Sequence, residues 1–277
     1  MPFFTNNTIA ENPVDIYYED YGKGQPVILI HGWPLSRRAW EPQIPALVEA
    51  GYRVISYDRR GFGLSSFPWN GYDYSSLTSD LKALIDELDL NDVVLVGFSM
   101  GGGEVVRYFT DHGGARVSKA ALISSIIPLV PQKPDNPAGV PQDVLEEIMQ
   151  ALEDDRVGYL KTFHKNFYNY GLLNKQVSDA QLEYDFIIAS HASPRATIET
   201  AKSWGGTDFR SEMKNVTVPT LIVHGKSDNI VPIETAGDQA AAGIPNNEYH
   251  KIDGAPHGLG VTHKKELNEI LLDFLAR

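Results

Sequence analysis

Short apolar runs rich in β-branched residues alternate with amphipathic stretches along most of the chain. Uninterrupted apolar runs of this length are typical of strands that are buried on both faces, as in a parallel sheet covered by helices. The predicted strands are 27–30, 53–57, 93–98, 120–124, 220–224 and 249–252. An earlier stretch, 15–19, is predicted to add an antiparallel edge strand. The pattern therefore predicts an α/β fold.

Helical periodicity appears between these strands. One apolar stripe runs through 77–88 and another through 264–275, as expected of helices that pack on a sheet. The residues of the two stripes are Leu77, Leu81, Leu84, Ile85 and Leu88, and then Leu267, Ile270, Leu271 and Phe274.

The alternation stops after Ser125. Five prolines follow between 128 and 141, a density that prevents a helix or a central strand. Helical stretches are predicted at 143–167 and 179–189, and the sheet pattern resumes near 218. We expect 126–203 to be a helical cap inserted into a core domain formed by 1–125 and 204–277.

A nucleophile elbow is predicted at Gly97-Phe98-Ser99-Met100-Gly101, directly after one strand and before a helix that begins near Met100. Glycines on both sides leave room for the tight turn that presents a serine hydroxyl. The Met100 amide and the positive end of the helix would face an oxyanion formed beside Ser99. We identify Ser99 as the candidate nucleophile and the Met100 amide as one oxyanion donor.

A second oxyanion donor is expected after the strand 27–30, where the chain reads His31-Gly32-Trp33-Pro34. We assign it to the backbone amide of Trp33. His31 is an alternative proton-transfer residue, although a histidine inside such a loop more often braces the turn by hydrogen bonding.

The remaining candidates follow the last two predicted strands, on the sheet edge that carries Ser99. His257 is the candidate general base, and Asp228 is the acid that would orient it. Asp253 is a rival acid, but it lies only four residues before His257, where a role in the turn is favoured.

Composition narrows the range of partners. The formal net charge of −12 disfavours nucleic acids and anionic membrane surfaces, and a small neutral substrate fits better. The chain contains no cysteine, and its other histidines show no metal-ligand spacing, so we expect no metal site. We find no signal-peptide pattern and no long apolar span, so a cytoplasmic protein is expected. A homo-oligomer is left open.

Several motifs together resemble the cofactor-free haloperoxidase, perhydrolase and aryl esterase branch of the α/β-hydrolases. They are His31-Gly32-Trp33-Pro34-Leu35, Asp58-Arg59-Arg60-Gly61-Phe62-Gly63, the elbow with its glycine run through Gly103, His224-Gly225 leading to Asp228, Thr207-Asp208-Phe209-Arg210 and Ala255-Pro256-His257-Gly258. The resemblance implies a mostly parallel eight-stranded sheet with helices on both faces and a helical cap. It also implies hydrolysis of small aryl or short-chain alkyl esters, and of some lactones, through an acyl-enzyme without a cofactor.

With hydrogen peroxide in place of water, the resemblance implies formation of peracids that oxidise bromide or chloride. Pro34 fixes φ and removes an N–H directly after the oxyanion residue, so it can turn the Trp33 carbonyl towards the pocket. We hypothesise that this carbonyl accepts a hydrogen bond from the attacking peroxide. A rigid loop with no such effect is the alternative. The charged loop 58–63 is interpreted as structural, with Arg and Asp pairing locally.

The acyl pocket is predicted to be small and apolar. Its expected lining is Trp33, Pro34 and Phe98 with the aromatic residues Phe163 and Trp204. Ser99 argues against a dehalogenase or an epoxide hydrolase, which need a carboxylate nucleophile at the elbow. A carbon–carbon hydrolase, a hydroxynitrile lyase and a non-catalytic binding protein of this fold remain alternatives.

Overall fold

The computed structural model describes residues 2–7, 13–172 and 174–277. In this part of the chain eight strands form one sheet, in the spatial order β1-β2-β4-β3-β5-β6-β7-β8. The strands are β1 (Phe3–Asn6), β2 (Val14–Gly22), β3 (Pro26–Ile30), β4 (Arg53–Tyr57), β5 (Val93–Phe98), β6 (Val117–Ile123), β7 (Thr220–Gly225) and β8 (Asn247–Ile252).

The sheet is parallel from β4 to β8, and β1 and β2 are antiparallel to their neighbours. Every residue of β3, β5 and β7 is buried, because helices cover both faces of the sheet at its centre. All six predicted parallel strands are present. The stretch 15–19 is antiparallel as predicted, but the prediction that it forms the edge was wrong, since β1 pairs outside it.

The helices of the described residues are α1 (Ile44–Glu49), α2 (Tyr74–Glu87), α3 (Met100–His112), α4 (Gln142–Phe167), α5 (Asp179–Ser190), α6 (Pro194–Gly206), α7 (Gly237–Gly243), α8 (Leu259–Thr262) and α9 (Lys264–Leu275). Helix α2 begins where the Asp73 side chain accepts a hydrogen bond from the Ser76 amide, and it buries the predicted leucine stripe. Helix α4 is interrupted at Asp155, whose φ and ψ of −149° and 77° are not helical.

Helices α4, α5 and α6 lie between β6 and β7 in the chain. Helix α6 runs through 203, where the sequence pattern divides cap from core. The segment after β6 is irregular through the proline-rich stretch, with isolated bridges such as that between Pro131 and Val140. Residues of this insertion, such as Phe163, line a cavity together with Ser99 and His257, which follow the carboxyl ends of β5 and β8.

None of the helices among the described residues has the length and apolar character needed to cross a membrane.

Candidate active site

Ser99 lies on a strained turn between β5 and α3, with φ of 52° and ψ of −117°. A non-glycine residue adopts such a conformation only at an energetic cost, of about 1–3 kcal/mol, that the surrounding structure must offset. Gly97 and Gly101 make the turn possible. A Cβ on Gly97 would lie 2.5 Å from the carbonyl oxygen of Gly101, and one on Gly101 would lie 2.5 Å from that of Ile30. The turn therefore presents the Ser99 hydroxyl at the carboxyl edge of the sheet.

The structure brings Ser99, His257 and Asp228 into one hydrogen-bonded chain. Ser99 Oγ lies 2.9 Å from His257 Nε2, and His257 Nδ1 lies 2.7 Å from Asp228 Oδ2. All three side chains are buried, and the rings of Phe98 and Phe167 pack against the imidazole with centroids 5.2 and 5.0 Å away. The three residues come from separate loops after β5, β7 and β8. A serine, an imidazole and a carboxylate in this order can activate the serine hydroxyl.

The surroundings of Asp228 keep it ionised. Burial would raise the pKa of Asp228, but the charge of His257 and hydrogen bonds from His224 and His257 outweigh burial and hold this pKa well below its usual range. Its Oδ1 also accepts hydrogen bonds from the amides of Ile230 and Val231, at 3.0 and 2.8 Å. An ionised Asp228 can fix the Nδ1–H tautomer of His257.

His224 belongs to this environment, although the sequence motifs do not predict a contact between it and Asp228. Its Nε2 lies 2.9 Å from the carbonyl oxygen of Val231 and 3.3 Å from Asp228 Oδ2. The signal that could have indicated it is the position of the His224-Gly225 motif, four residues before Asp228. The rival acid Asp253 lies elsewhere, exposed to solvent and 2.6 Å from Lys226 Nζ.

The backbone amides of Trp33 and Met100 have the properties of oxyanion donors. Among the described residues neither amide donates a hydrogen bond to a protein atom. The Trp33 loop lies against the nucleophile, since a Cβ on Gly32 would be 3.1 Å from Ser99 Cβ. Both Trp33 and Met100 face the same cavity as Ser99. Two unpaired donors beside the serine can stabilise a tetrahedral oxyanion.

His31 braces the oxyanion loop. Its Nδ1 lies 2.9 Å from the Gly32 carbonyl oxygen, and its Nε2 accepts a hydrogen bond from the Arg59 amide at 3.1 Å. Burial and, secondly, the charge of Arg59 hold the pKa of His31 well below its ordinary value. A neutral, fully bonded imidazole away from Ser99 fits the bracing interpretation.

The charged residues of loop 58–63 pair with distant partners rather than locally, which corrects the prediction. Asp58 binds Arg37, Arg59 binds Glu104, and Arg60 binds Asp80. All three pairs are buried, so the loop joins separate elements of the core.

A cavity of about 900 Å³ opens above Ser99 and His257. This volume lies near the upper end of the usual range for small-molecule sites, so the site is larger than the small pocket predicted from the sequence. Its walls come from the Trp33 loop, the proline-rich segment and α4. The sequence pattern does not specify how far the proline-rich segment and α4 lie from the core, so it does not specify the volume. The lining includes Trp33, Ile126, Val130, Leu145, Ile148, Phe163 and Trp204.

Three of the five predicted pocket residues lie together. The Trp33 ring packs against Phe163 and Trp204, with centroids 5.2 and 5.7 Å away. Phe98 and Pro34 are not among the described residues that line this cavity. Phe98 instead borders a separate cavity of about 70 Å³, and Pro34 is buried within the oxyanion loop.

Part of the cavity lining is polar and reaches solvent. These residues are Asn166 and Asn229, which are exposed, Asn169 and Tyr170, which are half-buried, and the exposed Lys165. No cluster of three or more potential metal ligands occurs in residues 2–7, 13–172 and 174–277.

The sheet, the elbow and the hydrogen-bonded chain define an α/β-hydrolase. A model of the α/β-hydrolase fold family matches residues 25–264. The crystal structure of a bromoperoxidase from Bacillus anthracis superposes with a TM-score of 0.95 and is 46% identical, with 99% of each chain covered.

Two curated relatives are similar over nearly their whole length. The non-heme chloroperoxidase of Kitasatospora aureofaciens is 38% identical, with 100% of each chain covered. The bifunctional esterase/perhydrolase of Acinetobacter calcoaceticus is 33% identical over 96% of this chain and 98% of its own. The chain therefore belongs to the α/β-hydrolase family, in the branch of the non-heme haloperoxidases and esterase/perhydrolases.

Proposed function

We propose that the chain is a serine hydrolase of small carboxylic esters, with Ser99 as nucleophile, His257 as general base and Asp228 as the orienting acid. The observation that carries the proposal is the buried series of hydrogen bonds from Ser99 through His257 to Asp228, next to an open cavity. The names of relatives as esterase/perhydrolase and chloroperoxidase support an ester substrate and a second activity with peroxide.

Acylation begins when His257 Nε2 takes the Ser99 proton and Oγ attacks the ester carbonyl. The negative charge that develops on the carbonyl oxygen is held by the amides of Trp33 and Met100. Collapse of the tetrahedral intermediate breaks the bond to the alkoxy oxygen, and His257 returns the proton to the leaving alcohol. The acid remains as an ester of Ser99.

Deacylation repeats these steps with a second nucleophile. Water, deprotonated by His257, releases the carboxylic acid. Hydrogen peroxide in the same place releases a peracid, which can transfer its terminal oxygen to bromide or chloride and leave the carboxylate and a hypohalous acid. The halide is oxidised outside the acylation cycle, so the proposed residues need no redox role.

Residues 126–203 are proposed to act as a cap on the core formed by 1–125 and 204–277. Residues of this segment supply much of the cavity wall, including Val130, Leu145, Ile148 and Phe163. The mostly apolar wall favours the acyl chain, and the polar side chains that also line the cavity, such as Asn166 and Asn229, suit the alcohol part of the ester.

The test is the burst of nitrophenol from a short-chain nitrophenyl ester. We expect a burst in the wild type and none in Ser99→Ala, because the acyl-enzyme cannot form without the hydroxyl. Ser56→Ala is the matched control, since Ser56 is a buried serine in β4 whose hydroxyl has no partner among the described residues. Turnover that persisted in Ser99→Ala would show that the acyl-enzyme mechanism is wrong.

A further inference from the structure

A buried arginine joins the oxyanion loop to the nucleophile helix. Arg59 Nη2 donates to the His31 carbonyl oxygen at 2.6 Å, and Arg59 Nε donates to Glu104 Oε1 at 2.7 Å. Glu104 lies in α3, five residues after Ser99. Arg59 is 1% exposed and Glu104 is not exposed at all. The ion pair therefore connects the two segments that carry the proposed oxyanion donors.

The connection extends to the peptide group of the Trp33 amide. The Gly32 carbonyl and the Trp33 N–H belong to one planar peptide group, so fixing the carbonyl also fixes the direction of the N–H. The His31 ring Nδ1 and the Leu35 amide both contact that carbonyl oxygen, at 2.9 and 3.1 Å. Arg59 in turn holds His31 through its own amide and its guanidinium. A contact chain thus runs from Glu104 through Arg59 and His31 to the Trp33 amide.

The ionisation states of Glu104 and His31 agree with the hydrogen bonds that these residues make. Burial raises the pKa of Glu104, and the guanidinium of Arg59 and the hydroxyl of Tyr57 oppose that rise. Tyr57 donates to Glu104 Oε2 at 2.7 Å. His31 stays neutral because burial and Arg59 lower its pKa. A neutral ring has one donor and one acceptor, so Nε2, which accepts from the Arg59 amide, leaves Nδ1 to donate to the Gly32 carbonyl.

We propose that Arg59, Glu104 and His31 are positioning residues. They fix the position of the Trp33 amide relative to the Met100 amide and Ser99. Stabilisation of the oxyanion depends on this bridge, because the two donors come from different segments of the chain. The inference rests on the proposed serine-hydrolase function.

The chain provides a matched control in the next residue. Arg60 makes an equally buried pair with Asp80 of α2, at 2.6 Å from Nε to Oδ2 and 2.7 Å from Nη2 to Oδ1. Arg59 and Arg60 are neighbours in the same loop, and the guanidinium of each is buried. Only the Arg59 pair contacts the oxyanion loop, so a difference between the two pairs reports positioning rather than burial of charge.

The experiment compares two double variants, Arg59→Met with Glu104→Met and Arg60→Met with Asp80→Met. Replacing both members of a buried ion pair by apolar residues is often tolerated by the fold, and melting temperatures check this. With a short-chain nitrophenyl ester, we expect the first variant to lose about tenfold or more in kcat with KM within about twofold, since loss of a whole oxyanion donor costs about 10²–10³. The second variant should keep kcat within about twofold.

His31→Gln provides a second test that leaves the ion pair in place. Glutamine can still accept from the Arg59 amide but has no donor in the place of Nδ1, so the Gly32 carbonyl keeps only its hydrogen bond from the Leu35 amide, at 3.1 Å. We expect the same loss of kcat, together with weaker inhibition by an alkylboronic acid, whose tetrahedral anion needs the oxyanion donors.

Equal kcat losses in both double variants, or an unchanged kcat in His31→Gln, would overturn the positioning role. These results are distinct from failure of the proposed function, which the wild type would reveal by lacking a burst that depends on Ser99.

Discussion

At the scale of single residues, Asp228 carries the sharpest prediction. Its carboxylate accepts from His257 Nδ1 and from two backbone amides. In Asp228→Asn the amide can present its NH₂ group to Nδ1, which favours the wrong imidazole tautomer. We expect kcat for a short-chain nitrophenyl ester to fall by a factor on the order of 10⁴, as the equivalent change does in a serine protease, with little change in KM.

The control for this prediction is Asp253→Asn. Asp253 is exposed and contacts Lys226 instead of His257, so its kcat should stay within about twofold of the wild type. A large loss in Asp253→Asn together with a small loss in Asp228→Asn would reverse the two assignments.

Pro34 is the residue on which the peroxide hypothesis depends. It follows the oxyanion residue directly and is buried in the loop that faces Ser99. If the Trp33 carbonyl binds the attacking peroxide, Pro34→Leu should lower the rate of peracid formation from acetate and peroxide several-fold and leave ester hydrolysis within about twofold. Peracid can be followed by bromide-dependent halogenation of a dye. Equal peracid rates in the two proteins would leave only the rigid-loop interpretation.

The residues that could be predicted from sequence are those with local signals. Ser99 and His257 stand in short glycine-containing motifs at predicted strand ends, and the family order of the motifs places Asp228 between them. Glu104 has no such signal. Its partner Arg59 is 45 residues away, and only the folded sheet brings β4 beside α3.

At the scale of elements, α4 forms one wall of the cavity. Ile148 of this helix lines the cavity, whereas Val157 on the same helix is 46% exposed. We expect Ile148→Trp to fill part of the volume and to lower kcat/KM for nitrophenyl octanoate about tenfold or more, with kcat/KM for the acetate changed by less than about twofold. The reason is that each excluded methylene group costs roughly 1–3 kcal/mol of binding.

Val157→Trp is the control, because it adds the same side chain to α4 outside the cavity. Its chain-length profile should match the wild type. A uniform loss on all esters in Ile148→Trp would indicate damage to the catalytic residues instead of a smaller cavity.

The central strands and the helices α4, α5 and α9 follow from their sequences, but the edge strand β1 and the interruption of α4 do not. Strands β4 and β5 and helix α9 begin and end where the apolar pattern predicts, because burial on one or both faces fixes that pattern. Strand β1 was missed since an edge strand of four residues needs no long apolar run. The interruption of α4 at Asp155 also lacks a signal, because neither proline nor glycine occupies that position.

For the molecule as a whole, the succession of strands and helices along the chain was predictable from sequence, but the size of the cavity was not. The alternating pattern determines which segments join the sheet, and the parallel direction places the functional loops at one edge. The volume depends on how far the proline-rich segment and α4 stand from that edge. That distance depends on contacts between α4 and the core, such as Phe163 with Trp33 and Phe167 with Phe98, which no local motif specifies.

The stability of the whole molecule should depend on pH through His164 in α4. This side chain is completely buried, its Nδ1 lies 2.8 Å from the Leu160 carbonyl oxygen, and its Nε2 has no partner among the described residues. Burial lowers its pKa from the ordinary 6.5 to about 4, against a smaller opposing effect of the hydrogen bond to Leu160. Between these two values the unfolded chain binds a proton that the folded chain does not.

Stability from this group is therefore present above pH 6.5 and is lost as the pH falls towards 4. Linkage over this interval predicts that His164 alone removes about 2 kcal/mol of unfolding free energy between pH 7.5 and pH 5. His164→Asn retains a donor for the Leu160 carbonyl but cannot titrate, so its loss over the same interval should be smaller than that of the wild type by about this amount. Urea unfolding at the two pH values measures the difference, with exposed His191→Asn as the control. Equal pH dependence in His164→Asn and the wild type would mean that this histidine is protonated in the folded protein without a penalty.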